Sequence, residues 1–148
     1  MEREVNMAEK VELGKARIVK EGTDLTIVTI SGCLKMVQEL FPEIESQGLS
    51  ADILDVRSVV PLDFDTIKES VKKTGKVVIC DTANRTGSLA GHISSLIVQD
   101  AFGYLKAPVR IAACEDIPVP YAKELEAAVL VSKEKIKREI ELVVGYNR

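Results

Sequence analysis

One histidine, three scattered cysteines and a few short polar clusters carry whatever chemistry this 148-residue chain can perform. His92 stands beside Ile93, at a spacing that puts Ile93 on the buried side of a helix, and no orienting partner for its imidazole is fixed by the sequence. It reads as an interface histidine rather than a general base. Cys33, Cys80 and Cys114 are odd in number and far apart, which suits neither a disulfide framework nor zinc-ligand spacing. Cys33 opens a helix, where a thiol pKa can be lowered, but a nucleophile also needs a base and the chain holds a single histidine.

The polar clusters share a context. Ser31-Gly32-Cys33, Asp55 with Arg57, Asp81-Thr82 with Arg85, and Glu115-Asp116 each follow a run rich in Val, Ile or Ala. In an open α/β sheet such positions lie beyond the carboxyl ends of the strands, where ligands bind. Gly32 lacks the spaced glycines of a phosphate loop and reads as turn geometry. Asp55 and Arg57 share one strand face because side chains alternate with period two, and an ion pair holding the edge is favoured over an anion clamp. Arg85, in Asn84-Arg85-Thr86-Gly87, is either a partner contact or a solvated loop charge. Ser31, Asp55, Arg57, Arg85 and His92 are therefore candidate interface or anion contacts, and no catalytic, cofactor-binding or metal-binding residue is assigned.

Positioning these clusters requires strands, and five runs qualify: Ala16 to Lys20, Leu25 to Ile30, Ala51 to Val56, Val77 to Cys80 and Val109 to Ala112. Helical spacing relates Leu34, Val37, Phe41 and Ile44, with Pro42 predicting a kink or break near Phe41. Asp63 caps a second helix that buries Phe64, Ile67 and Val71 and stops before Gly75. A third, after Gly87, buries Leu89, Ile93, Leu96 and Ile97. The last, from about Lys133, buries Ile136, Ile140 and Val143 or Val144. The segment Ile117-Pro118-Val119-Pro120-Tyr121 is a fixed, extended loop. Four residues, Glu21 to Asp24, separate the first two strands, too few for a parallel crossover unless those strands lie apart, so the sheet is mixed.

Interspersed acids and bases with a formal charge of -3 give no basic stripe for nucleic acid. Residues 1 to 10 lack the apolar core of a signal peptide, and no apolar run approaches the roughly 18 residues of a membrane span. The expectation is a cytoplasmic protein with a disordered segment over 1–10 and one domain over 11–148.

The phrases Glu21-Gly22-Thr23-Asp24, Asp55-Val56-Arg57-Ser58-Val59-Val60-Pro61-Leu62-Asp63, Arg85-Thr86-Gly87 and Asp116-Ile117-Pro118-Val119-Pro120-Tyr121 occur in an order that resembles a known family. That family is the carboxyl-terminal domain of transketolase-like thiamine diphosphate enzymes, closest to the beta subunit of the pyruvate or 2-oxo acid dehydrogenase first component. It usually has Glu where Asp81 stands and a Gly-Gly-Phe-Gly-Ala-Glu-like run in place of Gly87 to His92. The resemblance implies three α/β/α layers with a five-stranded mixed sheet, one strand antiparallel. It also implies a detached assembly or dimerisation domain that is not catalytic alone and binds no cofactor by itself. Thiamine diphosphate and Mg2+ would belong to the complete enzyme, with separately encoded pyrimidine- and pyrophosphate-domain subunits as partners, an acyltransferase core as a docking target and homo-oligomers expected. The alternatives are a stand-alone small-molecule-binding or regulatory module on the same fold, and a subunit of a 2-oxo acid:ferredoxin oxidoreductase.

Overall fold

Runs of Val, Ile and Leu too short and too uniformly apolar for surface helices become strands, those at the centre of the sheet buried on both faces, and the 3.6-period segments between them supply the cover. The structure, a computed structural model, describes residues 11–146; the disordered segment expected over residues 1–10 lies outside them. The strands are β1 (Arg17–Lys20), β2 (Leu25–Thr29), β3 (Ala51–Asp55), β4 (Val77–Asn84) and β5 (Arg110–Cys114). The helices are α1 (Cys33–Ser46), α2 (Phe64–Thr74), α3 (Leu89–Ala101), α4 (Lys123–Val129) and α5 (Lys133–Val144).

The sheet order is β1-β3-β2-β4-β5, with β1 antiparallel to β3 and the other neighbours parallel. Strand β3 thus lies between β1 and β2, and the four-residue link between those two joins strands that are not neighbours. Gly22 makes that link pass close to β3: a Cβ there would lie 2.2 Å from the Ala51 carbonyl carbon.

Side-chain alternation divides the core. Leu25, Ile27, Ile53, Val78 and Cys80 face α1 and α5, while Val28, Leu54, Val77 and Ile79 face α2 and α3. Two expectations need correction. Helix α1 runs without a break through Pro42 to Ser46, because Pro42 sits on the exposed side while Leu40 and Ile44 are buried on either side of it. Burying those two side chains contributes about 1.5–3 kcal/mol each, which offsets the roughly 3 kcal/mol cost of an interior proline. In α3 the buried stripe is Ala90, Ile93, Ile97 and Ala101, leaving Leu89 and Leu96 half-buried.

Helix α2 starts and stops on local chemistry. The Asp63 carboxylate caps the helix by accepting the Thr66 N–H at 3.4 Å, reinforced by Thr66 Oγ1 at 2.9 Å, and anchors the chain before β1 by accepting the Ala16 N–H at 3.0 Å. Gly75 ends it in the left-handed region at φ 75°, where a Cβ would come within 2.8 Å of the Tyr104 carbonyl oxygen.

A polar chain lies between α2 and the sheet. Asp52 Oδ2 receives Ser70 Oγ at 2.5 Å and Lys73 Nζ at 2.7 Å; Ser70 Oγ lies 2.7 Å from Thr26 Oγ1, which lies 2.7 Å from Thr74 Oγ1. Hydrogen counting fixes its direction. Ser70 donates to the carboxylate, Thr26 must then donate to Ser70, and Thr74 to Thr26. That leaves no hydrogen for the 3.2 Å approach of Thr74 Oγ1 to the Lys76 carbonyl, which instead accepts the Thr26 N–H at 2.8 Å.

Candidate functional site

The carboxyl ends of the parallel strands form a polar and apolar edge in two halves. In the first half, Thr29 and Asp55 are register partners at the ends of β2 and β3. Two residues beyond each, Ser31 and Arg57 both adopt left-handed backbone, with φ 57° and 54°. The register therefore sets two non-glycine residues of positive φ at equivalent places on adjacent strands. Such a conformation costs on the order of 1–3 kcal/mol per residue and persists only where surrounding structure imposes it.

Between them lies a cleft of about 460 Å³ whose walls include Ile30, Ser31, Asp55, Val56, Arg57 and Val59. Arg57 Nε stands 3.7 Å from Asp55 Oδ2, an ion pair too long to be a direct hydrogen bond, so the edge pairing expected from alternation is present in loose form. Leu13 and Val60 near this half are 87% and 90% exposed.

The second half is built from the ends of β4 and β5. Strand β4 continues past Cys80 to Asn84, longer than the sequence suggested, and its last residue pairs with Cys114 across an irregularity. Asp81, at the position where the resemblance implies Glu, is buried and accepts the Ala83 N–H at 3.1 Å and the Ala90 N–H at 3.4 Å. A side chain one methylene shorter than Glu thus holds both the loop and the first turn of α3. Arg85 is exposed but fastened: its N–H reaches the Cys114 carbonyl at 3.0 Å and Nη1 reaches the Ile111 carbonyl at 3.1 Å.

Asp116 ties this corner to the next loop. Its carboxylate accepts both the N–H and the Oγ1 of Thr86 at 2.7 Å, and these bonds hold the Asp116 carboxyl below the ordinary carboxylate range. Beyond it, Ile117 and Val119 are half exposed and Tyr121 is fully exposed. Helix α4, which no apolar stripe announced, follows and buries only Val129.

The structure thus brings Ser31, Asp55 and Arg57 to one cleft, and places Arg85 on the loop before α3 and His92 in the first turn of that helix, both exposed. The helix start does not lower the Cys33 thiol, which is free and buried. Burial first, and then Asp81 and Cys114 nearby, push its thiol up to about 12, so it stays protonated and inert at neutral pH. Burial likewise pushes the Cys80 thiol well above its ordinary value. Cys114 is buried and serves the fold, lying 3.2 Å from the Thr82 carbonyl and accepting the Val131 N–H at 3.3 Å.

Among the described residues no three His, Cys, Asp or Glu side chains are arranged to hold a metal ion.

Three α/β/α layers around a mixed five-stranded sheet define an α/β domain of the transketolase carboxyl-terminal type. Residues 14–136 match the family described as Transketolase, C-terminal domain, and the chain belongs to that family. It is 36% identical over 135 residues to the pyruvate dehydrogenase E1 component subunit beta of Rickettsia bellii, covering 91% of this chain and 42% of that protein. It is also 36% identical over 126 residues to the acetoin:2,6-dichlorophenolindophenol oxidoreductase subunit beta of Cupriavidus necator, covering 85% of this chain and 37% of that protein.

Among solved structures, a split-gene transketolase described as an inactive beta4 tetramer superposes with a TM-score of 0.81 at 21% identity, covering 97% of this chain and 46% of that one. A 2-oxoglutarate:ferredoxin oxidoreductase from Magnetococcus marinus superposes with a TM-score of 0.57 at 13% identity, covering 88% of this chain and 19% of that one. These 148 residues span about two-fifths of the length of the curated relatives they match.

Proposed function

We propose that this chain is the assembly domain of a thiamine diphosphate-dependent enzyme of the 2-oxo acid dehydrogenase or transketolase type, and that it performs no catalysis alone. In this reading the cofactor supplies the carbanion chemistry within the complete enzyme. The pyrimidine- and pyrophosphate-binding parts come from outside these 148 residues, and this domain supplies contacts to them and to a second copy of itself. The observation that carries the proposal is the match of nearly the whole chain to only 42% of a pyruvate dehydrogenase E1 beta subunit. Val59, Val60, Ile117, Val119 and Tyr121 stand exposed beyond β3 and β5 and would be covered in such contacts. The homotetramer of the split-gene transketolase accords with self-pairing.

Calorimetric titration of the purified chain with thiamine diphosphate and Mg2+ is expected to show no binding, and sedimentation velocity to show a dimer or larger species. Tight stoichiometric binding of the cofactor, turnover of a 2-oxo acid or sugar phosphate without added protein, or a strict monomer at every concentration would each refute the proposal.

A further inference from the structure

Asp55 and Arg57 carry opposite charges in one strand-end cleft without satisfying each other. Their side chains are only 21% and 26% exposed, yet Arg57 Nε stays 3.7 Å from Asp55 Oδ2, so neither gains a hydrogen bond from the other. Withdrawing a charge from water is unfavourable unless hydrogen bonds replace the lost hydration, and here both groups keep unused bonding capacity. The backbone at Arg57, and at Ser31 across the cleft, is left-handed at φ 54° and 57°, a strain that folded proteins retain chiefly where a site is built. The cleft, about 460 Å³, falls within the range of about 300–1,000 Å³ typical of small-molecule sites. Its apolar walls are graded: Ile30 and Val56 are buried, and Val11 and Val59 are half exposed.

We propose that this cleft binds a small α-amino acid with an aliphatic side chain, its carboxylate on Arg57, its ammonium on Asp55 and its side chain against Ile30, Val56 and Val59. The pairing of charges selects that chemistry. A simple anion reaching Arg57 also meets the Asp55 carboxylate, and a simple cation reaching Asp55 meets the guanidinium, so each is opposed by like charge. A zwitterion satisfies both groups at once, and the arginine fork matches a carboxylate in geometry. Contact with the apolar walls supplies further affinity. The proposal goes beyond the assembly reading and does not depend on it.

Calorimetric titration of the full chain with L-leucine tests it, beside isocaproate, which lacks the ammonium, and isopentylamine, which lacks the carboxylate. L-Leucine is expected to bind with a Kd on the order of 1 mM or tighter, and each one-charge probe on the order of tenfold more weakly. Amide shifts induced by L-leucine in NMR spectra should centre on Ser31 and Arg57. Asp55→Asn should weaken L-leucine by on the order of tenfold while tightening isocaproate, a reversal that loss of folding cannot produce. No L-leucine binding below about 10 mM, equal binding of all three probes, amide shifts centred elsewhere, or an unchanged gap between L-leucine and isocaproate in Asp55→Asn would overturn the proposal. If Asp55→Asn does not fold, the wild-type titrations and shifts decide alone. Failure of L-leucine to bind leaves the assembly reading standing, because sedimentation of the ligand-free chain tests that reading separately.

Discussion

Two aspartates on one strand live in opposite worlds. Asp52, near the start of β3, is buried beneath α2 and bonded to Ser70 and Lys73, whereas Asp55, at the end of the same strand, faces the edge cleft and holds Arg57 only at 3.7 Å. Their three-residue separation puts them on opposite faces of the sheet. Around Asp52 the polar groups chain together from one hydroxyl to the next. Around Asp55 the backbone is strained at Ser31 and Arg57 and apolar side chains stand in solvent. The region at Asp52 fixes the fold, and the region at Asp55 leaves its polar and apolar groups open to solvent.

Breaking the Asp52 side should have the largest effect. Lys73→Met strands a buried carboxylate; removing one member of a fully buried pair costs about 3–5 kcal/mol, and because the Lys73 side chain is 41% exposed the expected loss is about 2–3 kcal/mol. Asp52 Oδ1, which is closed to solvent and has no protein partner, adds to that penalty. Urea denaturation measures the loss. A double variant, Asp52→Leu with Lys73→Met, should recover most of it, and failure to recover would mean that Asp52 contributes through its hydroxyl chain more than through its charge.

An acid titration sharpens the contrast in a different way. Burial pushes the Asp63 carboxyl up, but hydrogen bonds from the Ala16 N–H and from Thr66, with Lys15 nearby, outweigh it and leave the value below the ordinary carboxylate range. Asp116 is also lowered, by its bonds from Thr86. A group whose folded pKa is depressed contributes stability above its unfolded pKa and loses it as pH falls through the folded value. The urea midpoint should therefore hold from neutral pH down to the ordinary carboxylate range and fall below it. In Asp63→Asn that acid-dependent drop should be smaller, and an equal drop in both proteins would count against Asp63 as its source.

The smallest effect is expected at the edge, with the opposite sign. Arg57→Gly relieves a positive φ while adding the chain entropy of glycine, so stability should rise by roughly 0.5–1 kcal/mol. Self-association should weaken at the same time. A variant that is more stable and associates as well as wild type would remove Arg57 from the assembly surface.

How much of this was legible before folding differs between the two regions. The strands β2, β3 and β5 were readable within one or two residues, because apolar runs bounded by Gly and charge admit few alternatives. The Asp63 cap and the Gly75 stop were readable for the same local reason. Helix α4 was missed because its seven residues bury only Val129, and a helix without an apolar stripe leaves no period to detect. Pro42 misled because its local cost was visible while the burial of Ile44 that offsets it was not. Ser31, Asp55 and Arg57 were legible as candidates from their places after strands, but the shared cleft depends on the register that pairs Thr29 with Asp55.

What the sequence determined by itself is the layered α/β class, the strand-end positions of its polar clusters and the absence of a phosphate loop, since each follows from local spacing and residue type. Tertiary structure decided the insertion of β3 between β1 and β2, the left-handed turns at Ser31 and Arg57, the protonated state of Cys33 and the bonds from Thr86 to Asp116. Each of those depends on groups distant in the chain becoming neighbours, and burial and hydrogen-bond partners exist only once the layers close.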